Sequence, residues 1–255
     1  MNLIEAIILG IIQGITEWLP ISSSGHLVLF QSIFKIRQPL IFDVLLHFGS
    51  LLVILFVFRK EILELIAGVL KREKKYLQLT IMLVLATIPI VLVGYFLKDY
   101  IESAFSNLSF VGFAWIFTSI ILFLSKYPKI KDKKLNFLNS FFMGISQAIA
   151  ILPGVSRSGI TISTGLMQGI KQEEAAKFSF LMAIPPILGA TLLEIKNINQ
   201  IENLSYALIG VLFSMISGYL SLKFLLKIIK TNKFSYFSIY CFVLGLIVLI
   251  SVYFL

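Results

Sequence analysis

Residues 10–25 read GIIQGITEWLPISSSG and residues 144–159 read GISQAIAILPGVSRSG. Gly10 falls on Gly144, Gln13 on Gln147 and Gly25 on Gly159, a constant offset of 134 positions, so one pattern is written twice. In each copy an apolar run meets Leu-Pro and then a cluster of Ser and Gly, which interrupts a helix. Around these two breaks the chain is strongly apolar. Its 255 residues are 58% hydrophobic and only 14% charged, where soluble domains run near ~25% charged, and mean hydropathy is +0.95. That excludes a soluble enzyme, a disulfide scaffold and a disordered chain. Runs such as LLVILFVF at 51–58 are continuously apolar, which excludes the alternating strands of a membrane barrel.

The spacing predicts six membrane-spanning helices, over 41–58, 79–97, 108–125, 178–195, 204–226 and 236–255. The two interrupted regions, 3–34 and 136–170, read as re-entrant helical hairpins, because irregular backbone at membrane depth survives only inside protein or against a wet cavity. Pro185 and Pro186 predict a kink in the fourth span. Residues 1–34 carry no basic leader and read as part of the mature fold. The net charge of +9 is gathered in short clusters between apolar segments. Arg59, Lys60, Lys71, Arg72, Lys74 and Lys75 form one, and Lys126, Lys129, Lys131, Lys133 and Lys134 another. Such clusters mark cytoplasmic loops, so the charge reads as topology and no nucleic-acid partner is expected. Lys171, Lys177, Lys223, Lys227, Lys230 and Lys233 join the cytoplasmic side, against Lys35, Arg37, Lys98 and Lys196 outside. Both termini then lie outside, one hairpin enters from each face, and the halves, about 1–125 and 136–255, form an inverted-topology repeat within one membrane domain spanning 1–255. VGYFLK at 93–98 echoes SGYLSLK at 217–223 in support. Cys241 stands alone in an apolar run, so no thiolate cluster or disulfide follows from it.

The breaks differ in chemistry. The first carries Glu17, Ser22, Ser23, Ser24, Gly25 and His26; the second carries Ser156, Arg157, Ser158 and Thr161. An acid, hydroxyls and an imidazole facing an arginine can supply a base, a nucleophile and an anion clamp, which points to phosphate chemistry. Arg157 lies inside a hydrophobic hairpin, and a guanidinium fork binds phosphate oxygens in pairs. The competing account makes it a helix tie to Glu17. Gln13 and Glu17, four apart, share one helix face just before the break, where the carboxylate is placed to hold a divalent cation, Mg2+ or Ca2+. The serines equally suit helix capping. His47 has no polar loop beside it and is expected to make an interhelical hydrogen bond, so His47→Ala should be mild where Arg157→Ala abolishes turnover. Glu173 and Glu174 read as acids at a helix start, and Trp18 and Trp115 as packing or anchoring residues.

QGITEWLPISSSGHLVL together with LPGVSRSGITI resembles the undecaprenyl-diphosphate phosphatase, or bacitracin-resistance, family, and the resemblance covers essentially the whole chain. Gln13, Glu17, Pro20, Ser22, Ser23, Gly25 and His26 match its first motif; Pro153, Gly154, Ser156, Arg157, Ser158, Gly159 and Thr161 match the second. Gln13 is the non-acidic choice at its position, which leaves Glu17 as the lone carboxylate. The resemblance implies hydrolysis of undecaprenyl diphosphate to undecaprenyl phosphate with a divalent cation, recycling the carrier for cell-wall synthesis and conferring bacitracin resistance, in a bacterial inner membrane with the site open to the outer face. On that expectation Arg157 grips the diphosphate, Glu17 holds the metal and Ser23 attacks with His26 moving the proton, or water attacks instead. Ser22, Ser24, Gly25, Ser156, Ser158 and Thr161 support the headgroup. A transporter or flippase of polyprenyl phosphate would use the same inverted-repeat cavity and is the competing class. A homodimer and a monomer are both compatible with the sequence.

Overall fold

The computed structural model describes residues 1–126, 133–231 and 233–254; Lys129 and Lys131 of the second basic cluster lie outside them. The described chain is all helical. The first half holds α1 (Leu3–Trp18), α2 (Ser23–Ile33), α3 (Leu40–Val57), α4 (Arg59–Leu70), α5 (Lys74–Phe96), α6 (Lys98–Phe105) and α7 (Leu108–Leu124). The second holds α8 (Phe137–Ile149), α9 (Arg157–Met167), α10 (Gln172–Met182), α11 (Ile184–Glu194), α12 (Leu204–Ile229) and α13 (Phe237–Phe254). Five helical stretches among the described residues are long and apolar enough to cross a bilayer: Leu40–Val57, Lys74–Phe96, Gln172–Gln200, Leu204–Ile229 and Phe234–Tyr253. A sixth exists if α6 and α7, bent by 99° at their junction, count as one span. The protein is therefore an all-α polytopic membrane protein.

Two departures from the sequence reading have local causes. The run expected to span 108–125 is α7, 17 residues long, and it is preceded by a short helix lying across it. That helix, α6, is KDYIESAF, whose polar residues keep it from continuing as a lipid-embedded rod. The expected kink at Pro185 and Pro186 is a break at Ala183, because the two prolines fall in the first turn of α11, where a missing N–H costs nothing. Glu173 and Glu174 do open α10.

Glycines set how closely the helices approach. A Cβ on Gly10 would collide with the Gly210 carbonyl, and one on Gly14 with the Ser214 carbonyl, so α1 lies backbone to backbone on α12. Ser221 Oγ adds a bond to the Gly14 carbonyl at 2.8 Å. In the other half a Cβ on Gly144 would strike the Ala86 backbone, which brings α8 equally close to α5. Small residues let membrane helices gain dispersion contact where lipid offers no hydrophobic driving force. With α7 packed on α13 and α3 on α12, these contacts leave the α1–α2 and α8–α9 breaks facing one another in the interior. Trp18, Trp115 and Phe180, all fully buried, belong to the core beside them.

Candidate functional site

Each break forms for a readable reason. Pro20 forces the preceding Leu19 into extended backbone, φ −64° and ψ 147°, which ends α1 at Trp18. Ser22 then turns the chain with φ 67°, a left-handed conformation costing a non-glycine residue of order 1–3 kcal/mol. Its Oγ accepts from the Gly25 amide at 3.3 Å to start α2. In the second break Gly154 takes the positive φ, 90°, and Ser156 Oγ accepts from the Gly159 amide at 3.1 Å to start α9. No side chain separates the loops. A Cβ on Gly25 would meet the Gly154 backbone and Trp115, and one on Gly154 the Val111 carbonyl and Ala114.

Glu17 stands at the centre, 7% exposed. Its Oε2 accepts from Gln13 Nε2 at 2.9 Å and from Ser23 Oγ at 2.6 Å, and its Oε1 accepts from Arg157 Nη2. The Arg157 guanidinium also lies 5.5 Å over the Trp18 ring, a cation–π contact that holds its plane. Among the buried polar atoms of this cluster with no partner among the described residues are Gln13 Oε1 and Arg157 Nη1, alongside Trp18 Nε1. Gln13 Oε1 is an acceptor and Arg157 Nη1 a charged donor, which a cation and an anion would satisfy. The N-termini of α2 and α9 add the positive ends of two helix dipoles.

His47, read from the sequence as remote from the chemistry, reaches from α3 to the same carboxylate. Its Nδ1–H donates to the Asp43 carbonyl at 2.8 Å and its Nε2 lies 3.5 Å from Glu17 Oε2. The interhelical contact is present, and its partner is the central acid. His26 is placed otherwise than the sequence suggested. Its Nδ1 bonds the Ser22 carbonyl at 2.7 Å and its Nε2 the Tyr240 hydroxyl at 2.8 Å, so both ring nitrogens are engaged away from Ser23. The group bonded to the Ser23 hydroxyl is Glu17.

The other hydroxyls are occupied with the loops themselves. Ser158 Oγ donates to the Leu19 carbonyl at 3.2 Å, Thr161 Oγ1 bonds the Arg157 carbonyl at 2.7 Å and Ser179 Oγ at 2.6 Å, and Ser156 caps α9. Ser24 Oγ lies 3.3 Å from Ser22 Oγ. Trp115 Nε1 donates to the Ile21 carbonyl at 2.8 Å, and Cys241 Sγ approaches the Pro20 carbonyl at 3.5 Å. Four successive carbonyls, Leu19 to Ser22, thus each receive a side-chain donor, from α9, α13, α7 and α2 respectively. That is how a protein keeps an irregular turn in its interior without orphaned backbone. Sequence reading missed Trp115, Tyr240 and Cys241 because an aromatic or a thiol in an apolar run carries no mark of its distant partner. An ionisable residue inside a span was a signal, and it pointed to His47.

A sequence profile described as "Bacitracin resistance protein BacA" matches residues 6–247. The chain belongs to the BacA family. Among its relatives, a protein named undecaprenyl-diphosphatase from Carboxydothermus hydrogenoformans is 42% identical, with 98% of this chain and 97% of the relative aligned. Proteins of the same name from Methanobrevibacter smithii and Halothermothrix orenii are 42% and 39% identical, covering 97% and 98% of this chain and the same shares of the relatives. The match thus includes both breaks and all the helices that position them.

Proposed function

We infer that this BacA-family chain hydrolyses undecaprenyl diphosphate to undecaprenyl phosphate and inorganic phosphate, returning the lipid carrier to cell-wall synthesis and thereby conferring bacitracin resistance. The observation that carries the reading is the single carboxylate of Glu17 holding Ser23 on one oxygen and Arg157 on the other. A base, a hydroxyl and a phosphate-binding cation are at one point inside a membrane protein, and relatives aligned over nearly the whole chain are named for this reaction.

Arg157 binds the headgroup through Nη1, the face Glu17 does not occupy. Glu17 takes the proton of the attacking oxygen. In the serine route Ser23 Oγ bonds to the terminal phosphorus, its proton passes to Glu17, the bridging P–O bond breaks and undecaprenyl phosphate leaves; water then cleaves the phosphoserine. In the water route Glu17 deprotonates water directly, and Ser23 orients it. Glu17 and the unpartnered Gln13 Oε1 fit a divalent cation, Mg2+ or Ca2+, and would be the residues that hold it. Among the described residues no group of three His, Cys, Asp or Glu is placed to hold a metal ion, and the carboxylate of this cluster is Glu17. When bound, such an ion supplies charge neutralisation on the diphosphate.

The full architecture we propose is six crossings and two re-entrant hairpins related as an inverted repeat. Supporting it, each hairpin's first helix packs on the second long span of the opposite half, α1 on α12 and α8 on α5. The basic-residue bias then puts the site's mouth toward the outer face. The test is phosphate release from a polyprenyl diphosphate in detergent by wild type, Glu17→Ala and Arg157→Ala, with and without a chelator. Metal-dependent release lost in both variants is expected. Binding without release by well-folded wild type would overturn the reading in favour of lipid transport.

A further inference from the structure

We propose that His26 and Tyr240 brace the Ser22 turn, which makes Tyr240 a positioning residue for Ser23 and removes His26 from proton transfer. The proposal rests on the hydrolase reading above for its kinetic consequence, and on geometry for its substance. A carbonyl only accepts, so the bond to the Ser22 carbonyl at 2.7 Å puts the proton of a neutral His26 on Nδ1. Nε2 is then an acceptor, and the Tyr240 hydroxyl, 2.8 Å away, donates to it. The chain of donors runs from the last helix to the first break: Tyr240 to His26, His26 to the Ser22 carbonyl.

The ring has no second place to go. His26 is 4% exposed, stacked on Tyr240 with centroids 5.8 Å apart at 12°, and set edge-on to Trp115 at 5.2 Å and 77°. Swinging it toward Ser23 would strip both ring bonds and leave the Ser22 carbonyl, which orients the Ser22–Ser23 peptide plane, with only the longer bond from the His26 amide at 3.2 Å. That plane needs holding, because Ser22 has φ 67° while Ser23, the next residue, must present Oγ at 2.6 Å to Glu17. The second break is an internal control. There Ser156 corresponds to Ser22 and has an ordinary φ of −80°, and Ile160 stands where His26 would be. Where the serine is not left-handed, the imidazole is absent.

The decisive variant is His26→Asn. The asparagine amide nitrogen superimposes on imidazole Nδ1 and keeps the donor to the Ser22 carbonyl, yet it carries no proton that titrates near neutrality. His26→Ala is expected to lower kcat about 100-fold, the scale of a 1 Å misplacement. His26→Asn should recover to within about tenfold of wild type, whereas loss of a general acid–base would leave it ~10²–10⁴-fold down alongside alanine. Tyr240→Phe should lower kcat about fivefold with KM unchanged, a displacement smaller than that in His26→Ala. Affinity for a methylene-bridged, non-hydrolysable polyprenyl diphosphonate should be unchanged in all three. Amide hydrogen exchange over residues 22–27 gives a readout independent of turnover: faster in His26→Ala and Tyr240→Phe, close to wild type in His26→Asn. Asparagine as inactive as alanine in a protein that still binds the diphosphonate overturns the proposal, and so does exchange unchanged in all three variants. Wild type that releases no phosphate while these exchange differences appear would sink the hydrolase reading and leave the brace standing.

Discussion

The two breaks share a sequence frame and a cap, yet they do opposite work. At the 134-residue offset Ser23 corresponds to Arg157, so the hydroxyl and the guanidinium that meet on Glu17 occupy the same position in their repeats, the first residue of α2 and of α9. Glu17 corresponds to Ile151 and His26 to Ile160. One copy keeps the acid and the hydroxyl, the other keeps the cation, and neither is a site alone. The difference extends to the backbone. The first turn is left-handed at Ser22 and held by side-chain donors from four helices, whereas the second gives its left-handed residue to Gly154 and is held mainly by Thr118. Thr118 Oγ1 donates to the Gly154 carbonyl and accepts from the Ser156 amide, each at 3.2 Å. A duplicated loop can thus diverge by placing strain where its side chain acts and glycine where it does not.

The most severe way to break the pairing is to remove its charge. Arg157→Ala should lower kcat by ~10³-fold or more, and Arg157→Lys should recover little because a point charge replaces a planar fork. Leaving Glu17 buried without its partner should also lower stability by about 3–5 kcal/mol, measured by thermal unfolding in detergent. Next is Ser23→Ala, which separates the two routes. Attack by the serine predicts a loss at the ~10³-fold level and a phosphoprotein trapped by acid quench of wild type; attack by water predicts a smaller loss and no label. His47→Ala, expected from sequence alone to be mild, should cost roughly tenfold in kcat, since its ring lies 3.5 Å from the carboxylate oxygen that accepts from Ser23 Oγ. Activity equal to wild type would return His47 to a packing role. The smallest effect sharpens the comparison from the other side. Gln147, the counterpart of Gln13, is fully buried with neither amide atom partnered among the described residues, because Ile151 stands where Gln13 has Glu17. Gln147→Met should therefore raise stability by about 1–2 kcal/mol with turnover unchanged; a lower melting temperature would show that the amide has a polar partner such as water.

Much of this was legible in the chain. The offset repeat, Pro20 and Pro153 marked the breaks, and an acid and an arginine away from any membrane edge marked the site. The long helices followed from apolar runs, apart from the short polar helices α4 and α6, which lie between the expected spans 41–58, 79–97 and 108–125. What the sequence did not disclose was pairing. Ser23 was expected to work with His26, three residues on, because local spacing is visible; its observed partner Glu17 is six residues back across a proline break. Tyr240 lies 214 residues from His26, and Trp115 94 residues from Ile21. In both cases an aromatic ring in a membrane span reads as packing, although its polar edge is tied to an irregular turn.

The sharing of Glu17 has a mechanical corollary. Ser23 and Glu17 come from the first break and Arg157 from the second, so the bond from Arg157 to Glu17 is a latch between the two breaks as well as part of the site. Sliding of one half past the other has to unfasten it. A diphosphate arriving at Nη1 takes the donor that the latch leaves unused, so one guanidinium serves both the fastening and the headgroup.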